Sequence, residues 1–263
     1  MLEAKKILQP GIQFQNVSPI EHRDLRRLWF VRGLKSEPTQ RSDQMKHFLR
    51  KITPCNPWQT FLRICFPKKM RFKYGVEQSS DFYDYTYAGS KHWKKHYTQS
   101  HYYPIWTVIG DRVRRKRPKR VLDIGCGPGQ VACMLRDIGV PEYIGLDFSK
   151  ARIARARDIC PEYEFLTENV FESQIFEIDN YDLILATEFL EHIEHDINVL
   201  EKARKGTTVI GTVPNFPATG HVRHFKNTEE VLLRYRSILS ELNVTPIFSK
   251  AKRKIYFVLQ GTR

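Results

Sequence analysis

The 263-residue sequence has few cysteines and no long hydrophobic run, and each absence excludes a class of protein. Its five cysteines form no C-x-x-C pair, so neither a disulfide framework nor a zinc ribbon is expected. No stretch approaches the roughly 18 apolar residues of a membrane-spanning helix. The first residues, MLEAKK, are not followed by the apolar segment of a secretory signal. These absences together predict a cytoplasmic protein with reduced thiols.

Acidic residues are scarce in the N-terminal part of the chain. The formal net charge is +14, of which residues 1–75 carry +11, residues 76–120 carry +6 and residues 121–263 carry −3. Such a basic part suits a polyanionic partner, which would be a nucleic acid, a phosphorylated glycan or a membrane surface. A solvated basic face that aids solubility explains the same charges equally well.

The most informative stretch is residues 121–130, with the sequence VLDIGCGPGQ. Apolar residues alternate with Asp123, and glycines then occupy positions 125, 127 and 129. This pattern predicts a buried strand, a tight turn and a helix over residues 131–138. Glycine permits positive φ in such a turn and lets the backbone approach a ligand closely.

The spacing of these glycines indicates which ligand the turn binds. It reads G-x-G-x-G, whereas the dinucleotide fingerprint reads G-x-G-x-x-G. Asp123 would repel a pyrophosphate but suits a cationic or amino-bearing ligand. The stretch resembles motif I of the class I S-adenosylmethionine (SAM) methyltransferases, which implies SAM as cofactor. A strand, turn and helix without any ligand is the alternative. The resemblance assigns cofactor binding to Asp123, Gly125, Cys126, Gly127 and Gly129.

A second predicted strand, residues 142–147, ends in Asp147, which lies 24 positions after Asp123. This is about where a βαβ unit ends its second strand. A carboxylate there accepts hydrogen bonds from both hydroxyls of a ribose. Its other possible role is to cap the helix that is predicted to begin at Ser149. The resemblance adds Phe148 to the cofactor-binding residues.

Three later positions are assigned to the cofactor by the resemblance alone. Asn169 and Val170 stand where related enzymes contact the adenine, and an amide can both donate to and accept from the adenine amino edge. Thr187 follows the fourth predicted strand, residues 181–186. In the family, the corresponding residue lies against SAM.

Residues 187–195, TEFLEHIEH, resemble the E-x-L-E-H signature of the ubiquinone-biosynthesis type of O-methyltransferase. The spacing predicts a helix that presents four polar side chains on one face, namely Glu188, Glu191, His192 and His195. Glu188, His192 and the later His221 are the predicted catalytic residues. An imidazole titrates near neutral pH, so His192 or His221 suits the role of base for a hydroxyl acceptor.

The same face offers ligands for a divalent metal, with His221 or His224 completing the set. The small-RNA 3′-terminal 2′-O-methyltransferases carry a similar arrangement. Metal-free methyltransferases of this class contain the same letters, and residues 221–225, HVRHF, resemble those relatives. No metal is therefore predicted.

The N-terminal part is less informative. Residues 1–90 are predicted to form a basic, aromatic-containing extension, with short helices over 20–34 and 44–52, and residues 91–263 form the methyltransferase domain. Basic residues interleaved with aromatics suit nucleic-acid contact, but they also suit a small helical cap. Residues 112–120 contain seven basic residues in nine and directly precede the first strand, which favours a solvated helix end. Aromatic walls for the cofactor or the acceptor are expected from Tyr97, Tyr102 and Tyr103.

The order of the predicted elements indicates the fold class. It is α/β, with a Rossmann-like, seven-stranded, mostly parallel sheet and an N-terminal helical, basic extension. A helix over residues 229–242 and a closing pair of strands over 244–249 and 254–259 complete the prediction. No internal repeat is visible.

The function that the resemblance implies is methyl transfer from SAM to a small-molecule or glycan-type acceptor, at oxygen. The alternative is an RNA methyltransferase that binds RNA through the basic N-terminal region. A third possibility is a non-catalytic SAM-binding or nucleic-acid-binding protein, since a fold alone does not specify a function. The acceptor and the oligomeric state stay open.

Overall fold

A computed structural model describes residues 74–178, 180–249 and 254–263. The helices predicted over residues 20–34 and 44–52 lie outside these ranges. The nucleic-acid contact is predicted for residues 1–75, of which only residues 74 and 75 are described. The boundary predicted between residues 90 and 91 stays a prediction.

The described residues alternate between strands and helices. The strands are β1 Arg120–Ile124, β2 Glu142–Asp147, β3 Glu164–Thr167, β4 Leu183–Ala186, β5 Thr208–Pro214, β6 Ser240–Phe248 and β7 Ile255–Thr262. The α-helices are α1 Ser80–Gly89, α2 Tyr103–Lys116, α3 Gln130–Asp137, α4 Lys150–Ile159, α5 Ile175–Ile178, α6 Asp196–Glu201 and α7 Thr228–Tyr235. Two short 3₁₀-helices, His92–Lys94 and Tyr97–Gln99, lie between α1 and α2.

The strands form one sheet in the order β3-β2-β1-β4-β5-β7-β6. The first five strands are parallel, and β7 runs antiparallel to both β5 and β6. The central parallel strands are buried, because crossover helices cover both faces of such a sheet. The predicted α/β fold with seven strands is therefore confirmed.

Alternation along β1 divides the core into two layers. Leu122 and Ile124 face one way and pack in a cluster with residues of α6 and α7, among them Val199 and Tyr235. Val121 faces the other way, into a cluster built from α2, α3 and α4. Each such buried side chain stabilises the fold by about 1.5–3 kcal/mol relative to exposure.

Two predicted helices are wrong in part or in full. The helix predicted over 229–242 ends at Tyr235, and the chain joins the sheet from Ser240 because β6 pairs with β7 along most of its length. Residues 187–195 form turns instead of a helix. Glu188 has a left-handed backbone, with φ of +51°, which interrupts any right-handed helix.

The basic segment 112–120 is the end of a helix, as predicted. Helix α2 ends at Lys116, and Arg117 caps it in the left-handed conformation. Arg112 differs from the exposed arginines that follow it, because it is half-buried and donates hydrogen bonds to the Val258 carbonyl and the Thr245 hydroxyl. No helix in the described ranges combines the length and hydrophobicity of a membrane crossing. The cytoplasmic location stays a prediction.

Asp196 holds the loop before α6 to the rest of the domain. Its carboxylate is fully buried and accepts hydrogen bonds from Arg234 and from the Tyr235 hydroxyl. Arg223 lies 3.4 Å from the same carboxylate. Arg223 also donates to the carbonyls of Leu190, Ile193 and Glu194. One buried acid therefore connects α7 with the loop that carries the E-x-L-E-H residues.

Asp123 is a second fully buried acid, on the layer of the core that contains Val121. One carboxylate oxygen accepts a hydrogen bond of 2.7 Å from the Tyr143 hydroxyl. The other oxygen is buried without a hydrogen-bond partner among the described residues. Burial raises the pKa of Asp123 from its ordinary 3.8 to about 7, with the hydrogen bond from Tyr143 opposing and the charge of Asp147 adding to the rise.

Loss of the Asp196 charge is expected to destabilise the domain. Asp196→Asn should lower the free energy of unfolding by about 3 kcal/mol or more, because it leaves two arginines without their buried counter-charge. Urea denaturation measures the change. Asp158→Asn, which removes the partly exposed ion pair with Arg155, should cost less than about 1 kcal/mol. Equal effects of the two variants would contradict the assignment.

Asp123 should make stability depend on pH in a definite direction. The unfolded carboxyl loses its proton near its ordinary pKa, whereas the folded one keeps it until about pH 7. The contribution of Asp123 to stability therefore falls as pH rises from about 4 to 7, by up to about 1.4 kcal/mol per unit, and is level above that range. Asp123→Asn, whose amide oxygen still accepts from Tyr143, should remove this slope in urea titrations at pH 5 and pH 8. Parallel pH profiles would rule the idea out.

Candidate active site

The turn between β1 and α3 has the backbone that its glycines permit. Gly125, Gly127 and Gly129 have φ values of +75°, +58° and +83°, which other residues rarely adopt. At Gly129 an added Cβ would lie 2.9 Å from the Cα of Ala156, so the glycine also allows α3 and α4 to approach. At Gly125 the ring of Phe189 lies where a side chain would be.

Asp147 ties this turn to the end of β2. Its carboxylate accepts hydrogen bonds from the backbone N–H groups of Gly127, at 3.0 Å, and Ser149, at 2.8 Å. The N-cap of α4 is Ser149, whose hydroxyl accepts from the N–H of Arg152. Burial raises the pKa of Asp147, against the positive charge of Arg152 and the two backbone hydrogen bonds. A carboxylate has about four acceptor positions, so two amide donors leave capacity for a ligand.

A cleft opens beside this turn, at the carboxyl ends of β1, β2 and β4. The carboxyl edge is where ligands bind in open α/β sheets. Seven of the predicted site residues line it: Gly125, Asp147, Phe148, Asn169, Val170, Glu188 and His192.

The remaining predicted residues lie just outside the wall of the cleft. Asp123 and Thr187 are buried and do not line it, and Cys126 packs against Gly145. Gly127 and Gly129 shape the turn without lining the cleft. His221 lies next to His192, with ring centroids 4.8 Å apart.

Asn169 begins a local turn at the far end of the cleft. Its side-chain oxygen accepts from the N–H of Phe171, at 3.1 Å, and its amide donates to Glu172, at 3.3 Å. Val170 is buried beside it. These hydrogen bonds fix the part of the cleft wall that Asn169 and Val170 form.

Part of the wall comes from residues that carry no recognisable motif. Glu77, Gln78 and Tyr83 line the cleft from the segment that leads into α1 and from α1 itself. Glu77 accepts a hydrogen bond of 2.8 Å from the N–H of Glu194, and Asp84 accepts from the hydroxyl of Ser149. Helix α1 is thus fastened to both sides of the site, and only the tertiary contacts reveal this.

The three tyrosines expected as walls have other surroundings. Tyr97 donates to Asp137, at 2.8 Å. Tyr102 stacks on Trp106 and meets Tyr256 edge to face. Tyr103 is exposed, and none of the three lines the cleft.

Glu188 and Glu191 form a pair of close carboxyl groups at the inner end of the cleft. The backbone N–H of Glu188 donates to the Thr212 hydroxyl, which in turn donates to the Glu188 carboxylate, at 2.9 Å. Burial raises the pKa of Glu188 to about 7. Glu191 is fully buried, and neither of its carboxylate oxygens has a hydrogen-bond partner in the described structure. Burial, followed by the charge of Glu188, raises the pKa of Glu191 well above its ordinary value.

His192 and His221 are held by backbone carbonyls. Nδ1 of His192 lies 2.8 Å from the Gly220 carbonyl, and Nδ1 of His221 lies 3.3 Å from the Phe216 carbonyl. A carbonyl only accepts, so Nδ1 carries the hydrogen and Nε2 keeps a free lone pair. Burial lowers the pKa of His192 to about 3 and that of His221 to about 4, so both rings are neutral near pH 7.

These side chains converge on one point. Ligand atoms of Glu191, His192 and His221 lie within 4.8 Å of one another, and Nε2 of His192 is 3.9 Å from Glu191. His195 and His224 are not part of the group. The cluster places two imidazole lone pairs beside a buried carboxyl group that has no hydrogen-bond partner in the described structure, which suits a cation.

Comparison with known proteins gives the family. Residues 99–235, more than half of the chain, match the family model described as a methyltransferase domain. No curated protein sequence matches the chain significantly.

Several solved structures share the fold. The methyltransferase domain of bacterial CtHen1-CN aligns with a TM-score of 0.51 at 17% identity, covering 62% of this chain and 100% of its own. The N-methyltransferase NodS from Bradyrhizobium japonicum WM9 aligns with a TM-score of 0.51 at 14% identity, over 63% and 98%. The cyclase SpnF aligns with a TM-score of 0.50 at 15% identity, over 59% and 80%.

At such identities the structural likeness describes the fold and not the reaction, as the presence of a cyclase illustrates. The family match spans the glycine turn, the acid at the end of β2 and the residues of the cleft other than Glu77, Gln78 and Tyr83. The chain therefore belongs to the class I SAM-dependent methyltransferases, and SAM is its cofactor.

Proposed function

We propose that this protein transfers the methyl group of SAM to a hydroxyl oxygen of a small-molecule or glycan-type acceptor. The observation that carries the proposal is the neutral imidazole of His192 in the wall of the cofactor cleft, with the neutral imidazole of His221 next to it. His192 lines the cleft, and its Nε2 has a free lone pair. A hydroxyl acceptor needs such a proton acceptor, whereas a deprotonated amine does not.

The residues of the cleft fit the cofactor. Asp147 would accept from the ribose hydroxyls with the lone pairs that its two amide partners leave free. Asn169 and Val170 would border the adenine, and Gly125 and Thr187 would flank the methionine part. When bound, SAM supplies an electrophilic methyl group on a sulfonium whose leaving group is neutral, so the chain's main task is positioning.

The proton of the acceptor hydroxyl would pass to Nε2 of His192. The Gly220 carbonyl fixes the tautomer and the orientation of this ring, and His221 contacts it edge to face. The low pKa of His192 leaves its Nε2 lone pair unprotonated at physiological pH but makes it a weak base. It would therefore take the proton late, as the new C–O bond makes the hydroxyl strongly acidic. Glu188 lies close by in the same wall and would orient the hydroxyl, since its carboxyl is able to donate or accept near pH 7.

The confined shape of the cleft supports a small acceptor. Glu77, Gln78 and Tyr83 cover it from the side of α1, and the backbone of Gly75 is hydrogen-bonded to the His221 carbonyl. An acceptor that reaches His192 therefore contacts walls on several sides, which suits a single sugar or an aromatic ring.

A second candidate function is metal-assisted methylation of an RNA 2′-hydroxyl, and the cluster of Glu191, His192 and His221 favours it. A buried carboxylate without partners beside two imidazole lone pairs is an arrangement that binds divalent cations. The carbonyl bonds to both Nδ1 atoms would orient these rings as metal ligands. The cation would bring the acceptor hydroxyl to the cluster and lower its pKa. In this case RNA would bind the basic residues before position 75.

The base role predicts the behaviour of two variants. His192→Ala should lower the rate of methyl transfer about 100-fold or more, in line with typical losses of general base catalysis. His221→Ala should lower it less, because its ring does not line the cleft. Calorimetry should show that both bind S-adenosylhomocysteine as the wild type does. Turnover is measured as SAM consumed with pooled hydroxyl acceptors.

Asp147→Ala is the contrasting variant for this experiment. It should lose affinity for S-adenosylhomocysteine, since it removes the ribose acceptor and frees the glycine turn. Unchanged turnover in both histidine variants would exclude the base role. Retained affinity in Asp147→Ala would exclude the cofactor assignment of that residue.

The metal candidate has its own test. If it holds, calorimetric titration of the wild type with Mn²⁺ gives a single site, and Glu191→Gln abolishes it, because an amide cannot ionise to give the anionic ligand that the carboxyl would supply. His195→Ala is the matched control, since His195 is exposed and outside the cluster. Absence of binding in the wild type, together with turnover that resists a chelator, would remove this candidate.

A further inference from the structure

Arg152 is a charged residue of the cleft that the proposed reaction does not use. It lies in the first turn of α4 and lines the cleft beside Asp147. Among the described lining residues it is the one with a permanent positive charge, whereas Glu77, Asp147, Glu168 and Glu188 carry carboxyl groups. A lone guanidinium in such a wall requires an explanation.

The guanidinium of Arg152 is held by aromatic rings and not by acids. Its central carbon lies 4.7 Å from the ring centroid of Tyr83 and 5.4 Å from that of Trp93. Its hydrogen bond to the Thr86 hydroxyl is long, at 3.4 Å, and its Nε is buried without a partner. No described carboxylate lies within ion-pairing distance of it. Most of its five donors are therefore unused.

Three other half-buried arginines of the described structure each have carboxylate partners. Arg223 donates to three carbonyls and contacts Asp196. Arg234 forms a two-bonded pair with Asp196. Arg136 binds Asp137 and Glu162. The two aromatic rings also hold Arg152 in a fixed orientation. Most of its N–H groups, however, have no acceptor within the described part of the chain.

We propose that Arg152 binds an anionic group, a carboxylate or a phosphate, on the methyl acceptor. A guanidinium matches either group with two parallel hydrogen bonds. The inference rests on the proposed methyl transfer and narrows its acceptor to an anionic class, such as a hydroxy acid, a sugar acid or a sugar phosphate.

The place of Arg152 relative to His192 supports the acceptor as the source of the anion. The ring of Tyr83 contacts both residues, since its centroid lies 5.8 Å from that of His192 and 4.7 Å from the guanidinium. An acceptor whose anion binds Arg152 would thus lie along Tyr83 and present a hydroxyl near His192. Asp147 is near enough for its charge to interact with that of Arg152, but the two form no ion pair in the described structure, so the donors of Arg152 stay open to a ligand.

A binding experiment tests the anion site without turnover. The protein is saturated with S-adenosylhomocysteine and titrated with inorganic phosphate, while the Nε–Hε signals of its arginines are followed by NMR. The signal missing from Arg152→Gln should shift with phosphate in the wild type. The same signal should shift equally in the control variant Arg155→Gln. Arg155 lies one turn further along α4 and pairs with Asp158. If the Nε–Hε signal of Arg152 does not shift when phosphate is added, the proposal is wrong.

An activity experiment identifies the source of the anion. Matched acceptors are compared, glucuronate with glucose and hydroxybenzoate with hydroxybenzamide. The wild type should prefer the anionic member about tenfold to one hundredfold in kcat/KM, the value of a charged hydrogen bond. Arg152→Gln should abolish this preference, and Arg152→Lys should keep part of it. A preference that survives Arg152→Gln would overturn the proposal.

The cofactor also carries a carboxylate, so it is the competing source. If Arg152→Gln weakens binding of S-adenosylhomocysteine but not of 5′-methylthioadenosine, which lacks that carboxylate, the anion belongs to the cofactor and the proposal is wrong. If no acceptor is methylated by any variant, the proposed function fails, and the phosphate titration still decides whether Arg152 is an anion site.

Discussion

The site depends on one buried carboxylate, that of Asp147. It joins three parts of the chain, because it ends β2, accepts from the N–H of Gly127 in the glycine turn and accepts from the N–H of Ser149 at the start of α4. Burial of this acid is costly, as its raised pKa shows, and two fixed amide donors offset the cost. These hydrogen bonds fix the floor of the cleft. If the glycine turn moved away from β2, the Asp147 carboxylate would lose a hydrogen-bond donor.

The opposite wall depends on Arg223 and Asp196. Arg223 donates hydrogen bonds to the carbonyls of Leu190, Ile193 and Glu194. The buried carboxylate of Asp196 balances its positive charge. This arrangement holds the loop in a non-helical path, with Glu188 in a left-handed conformation. As a result Glu191, whose oxygens have no partner, faces the imidazoles of His192 and His221. Natural proteins tolerate such unsatisfied polar groups mainly where function requires them.

A comparison of the signature residues shows how far local patterns reach. Glu188, Glu191, His192 and His195 share a face only if the segment is helical, and that helix is wrong. His195 consequently lies outside the cluster, while His221, from a distant loop, lies inside it. The spacing of letters singled out Glu188 and His192, which both line the cleft, but it had no information about Thr212 or Arg223, whose contacts bend the chain. Tyr83 and Arg152 belong to no motif, so only the tertiary packing shows that they line the cleft.

By itself, the sequence determined the sheet, the glycine turn and the family. Apolar runs of strand length, glycines at alternate positions and Asp147 at the end of β2 are local features, and local hydrogen bonding and burial make them predictive. The tertiary structure decided the shape of the cleft, the partners of the buried acids and the free donors of Arg152. These depend on contacts between residues far apart in the chain, such as Glu77 with Glu194 or His192 with Gly220, and no pattern within a single segment encodes them.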